Sequence, residues 1–208
     1  MTDLDVSKIK VVFMDVGGIL LSNGWDHVRR QKAAKYFDFD YEEMNNLHNF
    51  IYNVFEIGSI SLDEYLETVV FYCPRNFTKF DFKEFMFAQS EEQAEMLTWL
   101  KSFKKQINLP VFAINNESKE LNNYRIKTFG LHEIFDGFFS SCNLGMRKPD
   151  PRIFQKALEI AQVKPEESIY FDDRPMLVNA AKKLGMNAIL HEKFQTTKNI
   201  LEKLTLKE

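Results

Sequence analysis

Apolar positions along this chain follow two regimes. In the first they come as short unbroken runs. Val11, Val12, Phe13 and Met14 form one, the pattern of a strand buried on both faces in the middle of a parallel sheet, and Asp15 follows at its carboxyl end. Runs at 110–115, 137–142, 168–172 and 187–190 predict four more strands, separated by helical patterns over 118–128, 151–161 and 176–184. Gly130 and Gly185 stop the helices that precede them. This alternation predicts an α/β fold, a doubly wound parallel sheet with right-handed crossovers.

The second regime occupies residues 22–94, where the spacing is helical and no strand stands out. Trp25, Val28, Ala33 and Phe37 mark one apolar face; Met44, Leu47, Ile51, Val54 and Phe55 mark the next, which Gly58 ends. Ser61 and Glu64 form a capping box ahead of Tyr65, Leu66, Val69 and Val70, which predicts a third helix. Residues 74–80 read as a loop, Phe82, Phe85 and Met86 as a short helix, and Met96, Leu97, Leu100 and Phe103 as a helix carrying the chain back. The many Phe residues of this segment are expected to pack into its own core. The chain thus divides into a core of 1–21 plus 95–208 and a helical-bundle cap of 22–94, grown from the loop after the first strand.

Composition narrows the classes. At 208 residues and 45% hydrophobic content the chain can bury a full core. Its net charge of -3, with no basic stripe, gives no field for nucleic acid. No apolar run approaches the roughly 20 residues that cross a bilayer, and the Met-Thr-Asp-Leu-Asp start lacks a signal segment, so no membrane partner and a cytoplasmic location are expected. Cys73 and Cys142 have no metal-ligand spacing and read as reduced thiols.

The strand ends carry the chemistry. Asp15 ends the first strand, Asn115 and Asn116 the second, and Asp172 and Asp173 the fourth, while Lys148 lies in a Gly-Met-Arg-Lys-Pro-Asp-Pro loop after the third. In an open α/β sheet these ends gather on one side, where ligands bind. Two or three acids without a basic excess suit a hard cation held by oxygen, and magnesium is the natural one. A lysine and an amide beside that cation suit a phosphate, with the start of the helix after Asn116 adding attraction. Gly17 and Gly18 let the backbone turn close to whatever Asp15 holds.

Taken together, Asp15, Asn115, Lys148 and the Phe-Asp-Asp run at 171–173 resemble, in order and spacing, the four motifs of the haloacid dehalogenase superfamily of aspartate-nucleophile hydrolases. The resemblance covers nearly all of the chain outside the cap and implies a Rossmann-like core. It implies that Asp15 attacks the phosphorus of a phosphomonoester to give an aspartyl phosphate, which water then hydrolyses. It implies Mg2+ held by Asp15, the Gly17 carbonyl and Asp173, with Asp172 beside it, and Lys148 as a catalytic charge. Asn115, Asn116 and Gly18 become the phosphate-binding positions. The substrate is then a small phosphorylated metabolite.

Gly17 departs from the family pattern, because most phosphatases of this superfamily carry a second aspartate there that protonates the leaving group. A positioned acid is typically worth about 10² to 10⁴ in rate. Unless the cap or the substrate supplies a proton, aryl and anomeric sugar phosphates should therefore react faster than alkyl phosphates. A subgroup resembling bacterial sugar-1-phosphate phosphatases also begins Asp-x-Gly. Two alternatives stand beside a phosphatase: a haloacid or phosphonate hydrolase using the same Asp15, and an inactive binding protein. Helical patterning leaves open which of Trp25, His27, Arg29 and Glu56 faces the site.

Overall fold

A computed structural model describes residues 5–205. The first strand, β1 (Val11–Met14), leads into the cap helices α1 (His27–Phe37), α2 (Tyr41–Glu56), α3 (Leu62–Val69) and α4 (Lys79–Ala88), and α5 (Ala94–Lys104) returns to the core. There follow β2 (Val111–Asn115), α6 (Lys119–Thr128), β3 (Gly137–Ser140), the one-turn α7 (Ser141–Leu144), α8 (Pro151–Ala161), β4 (Ser168–Asp172), α9 (Pro175–Lys183), β5 (Asn187–Leu190) and α10 (Phe194–Glu202).

The five strands form one sheet of order β3-β2-β1-β4-β5, and every pairing is parallel. Strand order reverses at β1, so the crevice that such a reversal opens lies at the end of β1, where Asp15 sits. Both faces of the sheet are covered, which is why its strands read as unbroken apolar runs. Val12, Met14, Ile169 and Phe171 pack with Leu100, Phe103 and Leu201 of α5 and α10 on one face. Val11, Phe13, Ile114 and Tyr170 pack with Phe154, Ala157 and Val178 of α8 and α9 on the other.

The cap encloses a third apolar cluster, with Trp25, Met44, Phe55, Tyr65 and Phe82 at its centre. The core helix α6 contributes Leu121 to it, and Tyr124 of the same helix stacks on Phe87 at 4.8 Å. The two connections between cap and core run side by side, since Leu21 pairs antiparallel with Glu92. Among the described residues no helix is long and apolar enough to cross a membrane.

Several local expectations change. Val28 is 47% exposed, because α1 begins only at His27, with Asp26 as its cap, and turns Arg30, Ala33 and Ala34 inward. On α2 the inward face is Met44, His48 and Phe55, so Val54 and Phe50 point away from it, and Phe50 is 86% exposed. Phe80 is exposed as well, whereas most cap phenylalanines pack together; Phe37, for example, lies 4.3 Å from Phe77. Helix α4 starts inside the stretch read as a loop, because Thr78 and Asp81 make a reciprocal cap there. Strand β3 ends at Ser140 and the chain turns at once into α7, which corrects the longer strand expected to Cys142. Helix α10 was not anticipated in the sequence pattern; it docks through Leu201 on the core.

Candidate active site

Register places the acids. Met14 sits opposite Phe171, and the Asp15 amide donates to the Phe171 carbonyl at 2.9 Å, so Asp15 and Asp172 leave adjacent strands side by side. Between them lies the ammonium of Lys148, 3.1 Å from Asp15 Oδ2 and 2.7 Å from Asp172 Oδ2, on a side chain only 1% exposed. It also donates to the Tyr170 hydroxyl at 3.0 Å, and that hydroxyl donates to Asp172 Oδ2. Burial pushes the Asp15 carboxyl up to about 7; the neighbouring Asp172 and Asp173 add to the shift and Lys148 opposes it. For Lys148, burial alone would lower the pKa, but the Asp15 and Asp172 carboxylates outweigh it and hold the ammonium charged. Burial and the same carboxylates push the Tyr170 phenol well above its ordinary range, so it serves as a neutral donor.

Asp172 is fully engaged: its Oδ1 accepts from the Arg174 amide at 2.9 Å while Oδ2 takes Lys148 and Tyr170. Asp173 is not. Asn23 donates to its Oδ2 at 3.2 Å, but its buried Oδ1 has no hydrogen-bond partner among the described residues. Carboxylate oxygens of Asp15, Asp172 and Asp173 all lie within 4.8 Å of one another. An unpartnered buried carboxylate oxygen in a set of hard donors fits a divalent cation such as Mg2+. Of the acids expected beside it, Asp15 accepts from the Val16 amide at 2.8 Å through Oδ1 and faces Lys148 at 3.1 Å through Oδ2, Asp172 anchors Lys148, and Asp173 has the oxygen without a hydrogen-bond partner among the described residues.

Gly18 makes this cluster sterically possible. It adopts φ +72°, and a Cβ there would fall 2.0 Å from Asp173 Oδ2. Gly18→Ala therefore strains the backbone by about 1–2 kcal/mol and drives Asp173 out of place. The variant is expected to bind Mg2+ at least about tenfold more weakly in calorimetry, which is about 1.4 kcal/mol; parental affinity would show that Asp173 is not held by this turn. Gly17 is different. Its φ is ordinary, and a Cβ would only press on Asn23 Oδ1 at 3.1 Å, so the backbone does not dictate the missing side chain.

The amides expected to bind phosphate are partly committed elsewhere. Asn116 donates to the Lys148 carbonyl and accepts from the Lys148 amide, both at 2.8 Å, so its side chain clamps the Lys148 loop in place. Asn115 donates to Asn122 at 2.9 Å and accepts from Ser140 at 2.8 Å. It still lines the cavity, and its amide has a second hydrogen to give. The start of α6 is occupied by the chain's own carboxylate: Glu117 accepts from the Ser118 amide and pairs with Arg125 at 2.8 Å.

A cavity of about 480 Å³ opens between these groups and the cap. Asp15, Gly17, Asn115 and Lys148 form its floor; Trp25, His27, Tyr52 and Glu56 face them from the cap. Arg29 does not line it and pairs instead with Asp26 and Glu91. The model of the haloacid dehalogenase-like hydrolase family matches residues 9–185, a stretch that holds every one of these groups. The chain belongs to that family.

Relatives of this haloacid dehalogenase-like hydrolase fall into two kinds. Bifunctional epoxide hydrolase 2 of Sus scrofa is 37% identical over 71 residues, which is 34% of this chain but 13% of that protein. The match thus spans a small part of such curated relatives. The D-ribitol-5-phosphate phosphatase of Bacteroides thetaiotaomicron is 24% identical over 206 residues, covering 88% of this chain and 92% of that protein. Among solved structures, a haloacid dehalogenase family enzyme of Bacteroides thetaiotaomicron superposes with a TM-score of 0.77 at 20% identity, covering 88% of this chain and 94% of that one. The wild-type form of that enzyme has also been solved with magnesium and inorganic phosphate.

Some working parts of the hydrolase escaped the motif pattern. Tyr170 stands two residues before Asp172, and period-two alternation places both on one face of β4, so it was findable. Asn23 was not, and Arg147, although it lies in the Gly-Met-Arg-Lys-Pro-Asp-Pro loop, gave no sign of its cap partners, because each acts across a turn or an interface whose shape no local spacing records.

Proposed function

We propose that this hydrolase is a magnesium-dependent phosphomonoester phosphatase acting on a small phosphorylated metabolite, with sugar and polyol phosphates as the leading class. The observation that carries the reading is the buried ammonium of Lys148 held between Asp15 and Asp172, beside the unpartnered Oδ1 of Asp173. A carboxylate nucleophile, a fixed cation and room for a metal are what transfer of a phosphoryl group to Asp15 requires. The relative named as a D-ribitol-5-phosphate phosphatase and the neighbour solved with magnesium and phosphate support the same chemistry.

In this reading Asp15, Asp173 and the Gly17 carbonyl would hold the metal, with Asp172 adjoining through Lys148. Bound there, Mg2+ supplies positive charge that keeps Asp15 ionised despite its burial and offsets the phosphoryl oxygens. Asp15 attacks phosphorus, the bond to the leaving oxygen breaks, and water then attacks the phosphorus of the aspartyl phosphate to release inorganic phosphate. Lys148 steadies Asp15 before attack and faces the developing charge during it; such preorganised charge is the main source of acceleration. The second amide hydrogen of Asn115 is available to a phosphoryl oxygen. Asn116 contributes by fixing the Lys148 backbone.

The cap, residues 22–94, forms the wall that selects the rest of the substrate. Trp25, Tyr52 and Phe55 give it apolar faces, and His27 and Asn49 have no hydrogen-bond partner among the described residues and can meet hydroxyls. A cavity of about 480 Å³ suits a small metabolite. The test is phosphate release from a panel of phosphorylated sugars, polyols and nucleotides with and without Mg2+. Activity should need the metal, should disappear together with metal binding in Asp173→Ala, and should be blocked by beryllium fluoride trapped at Asp15. Release that survives chelation, or an Asp173→Ala variant with parental magnesium affinity, would overturn the assignment.

A further inference from the structure

Transfer of a phosphoryl group in line places the attacking and leaving oxygens on opposite sides of phosphorus. With Asp15 on the floor of the cavity, the leaving oxygen points to the cap. Position 17, on the Asp15 side, has no side chain to protonate it. A protein acid that protonates it would have to stand on the wall the leaving oxygen faces.

Five carboxyl or imidazole groups line the cavity outside the Asp15 cluster: Asp26, His27, His48, Glu56 and Glu117. Asp26 caps α1, accepting from the Arg29 amide at 2.9 Å. His48 is bound to the Tyr65 hydroxyl at 2.8 Å through Nδ1, and burial beside Arg30 pushes it down to about 3, so it carries no proton to give. Glu117 spends one oxygen on the Ser118 amide and the other on Arg125. Glu56 is built differently. Its Oε2 is buried 2.7 Å from Arg147 Nε in an ion pair that lacks hydrogen-bond geometry, Oε1 makes no hydrogen bond with the described residues, and the side chain keeps 27% of its surface.

The end of α2 that carries Glu56 is also fastened to the core. Ser141 donates to the Glu56 carbonyl at 2.6 Å, and Arg147 donates to Asn53 at 2.6 Å while lying 4.9 Å from the centre of the Tyr52 ring. A carboxyl group is thereby held over the cavity by the residue that precedes Lys148.

We propose that Glu56 of the cap is the proton donor to the leaving oxygen, in place of an acid at position 17. This rests on the phosphatase reading given above. As the bond from Asp15 to phosphorus forms, the bond to the leaving oxygen breaks, its electron pair stays on that oxygen, and the oxygen takes the proton from Glu56. In the second half the Glu56 carboxylate accepts a proton from the attacking water, the bond from phosphorus to Asp15 breaks, and both carboxyl groups return to their starting forms. Burial raises the Glu56 pKa, against the pull of Arg147, Arg174 and Lys148; Glu117 is the acidic neighbour across the cavity. A shift in this direction favours the protonated form that a general acid starts from.

The experiment measures kcat/KM for phosphate esters from aryl to alkyl in saturating Mg2+, in the parent and in Glu56→Gln, together with the phosphoenzyme burst in rapid quench. Glutamine keeps the size of the side chain and an acceptor for Arg147 but has no acidic proton. The variant is expected to lose about 10²-fold or more on alkyl phosphates and less than about tenfold on aryl phosphates, whose leaving groups need little help. Its dependence on leaving-group acidity should be steep where that of the parent is shallow. An equal loss across the series would reveal a packing role acting through Arg147 and Lys148 and would overturn the proposal, as would no loss. A selective loss in His27→Gln in place of Glu56→Gln would move the donor to His27. A parent with no phosphoenzyme burst and no ester turnover overturns the phosphatase reading itself, whereas a parent that shows both leaves that reading standing whatever Glu56 does.

Discussion

Asp15→Asn is expected to abolish turnover and, in EDTA, to yield a protein more stable than the parent at pH 8. The loss of activity follows because an amide has nearly the shape of a carboxylate but is no useful nucleophile. The gain in stability follows from burial. The Asp15 carboxyl sits at about 7 in the fold but near 3.9 in an unfolded chain. Between about pH 4 and pH 7 the folded form retains a proton that the unfolded form has released, so stability falls as pH rises across that window. The asparagine variant does not titrate there and keeps what the parent loses, on the order of 2–4 kcal/mol by pH 8. Lys148 is not stranded, since Asp172 remains 2.7 Å away. Urea melts at pH 4 and pH 8 check this: the advantage should be present at pH 8 and absent at pH 4. Turnover near the parental rate would remove Asp15 from the mechanism, and a stability difference that does not change with pH would show that Asp15 is ionised in the metal-free fold.

Lys148→Ala should fail in the opposite way. The substitution removes the cation that two buried carboxylates share. Leaving buried charge uncompensated typically costs about 3–5 kcal/mol, and a fixed charge facing a transition state is worth about 10² to 10³ in rate. The variant is expected to be inactive and strongly destabilised in EDTA. Mg2+ should then raise its stability more than it raises that of the parent, because the acids that lost Lys148 are those that face the metal. Denaturation with and without Mg2+ tests this. A variant as stable as the parent in EDTA would mean that the acids are not charged together.

The fold was readable wherever burial is set by the chain's own neighbours. The unbroken runs at Val11 and Ile169 mark strands covered on both faces, and the Ser61 and Glu64 cap was visible because it closes within one turn. Helix faces were less readable where the start of a helix shifts the phase: placing the first turn of α1 at Trp25 puts Val28 on the wrong side. In the site, Asp15, Lys148 and Asp173 could be found because strand ends converge by topology. Asn116 was matched to phosphate on its position alone, and its bonds to the Lys148 backbone appear only once two loops meet in space. The pairing of Glu56 with Arg147 joins α2 to the loop before Pro149 and leaves no periodic trace in the chain.

That pairing also changes what counts as an exchangeable part. The stretch between the two connections looks like a cassette to be swapped among relatives for new specificity. Its footing, however, includes Leu121 and Tyr124 of α6, Ser141, and Arg147 next to Lys148. A chimera that transplants the helices alone would leave an arginine without its carboxylate one residue from Lys148 and bare apolar side chains on α6. Grafts should carry those four positions with the cap, so that specificity is redesigned across both sides of the seam at once.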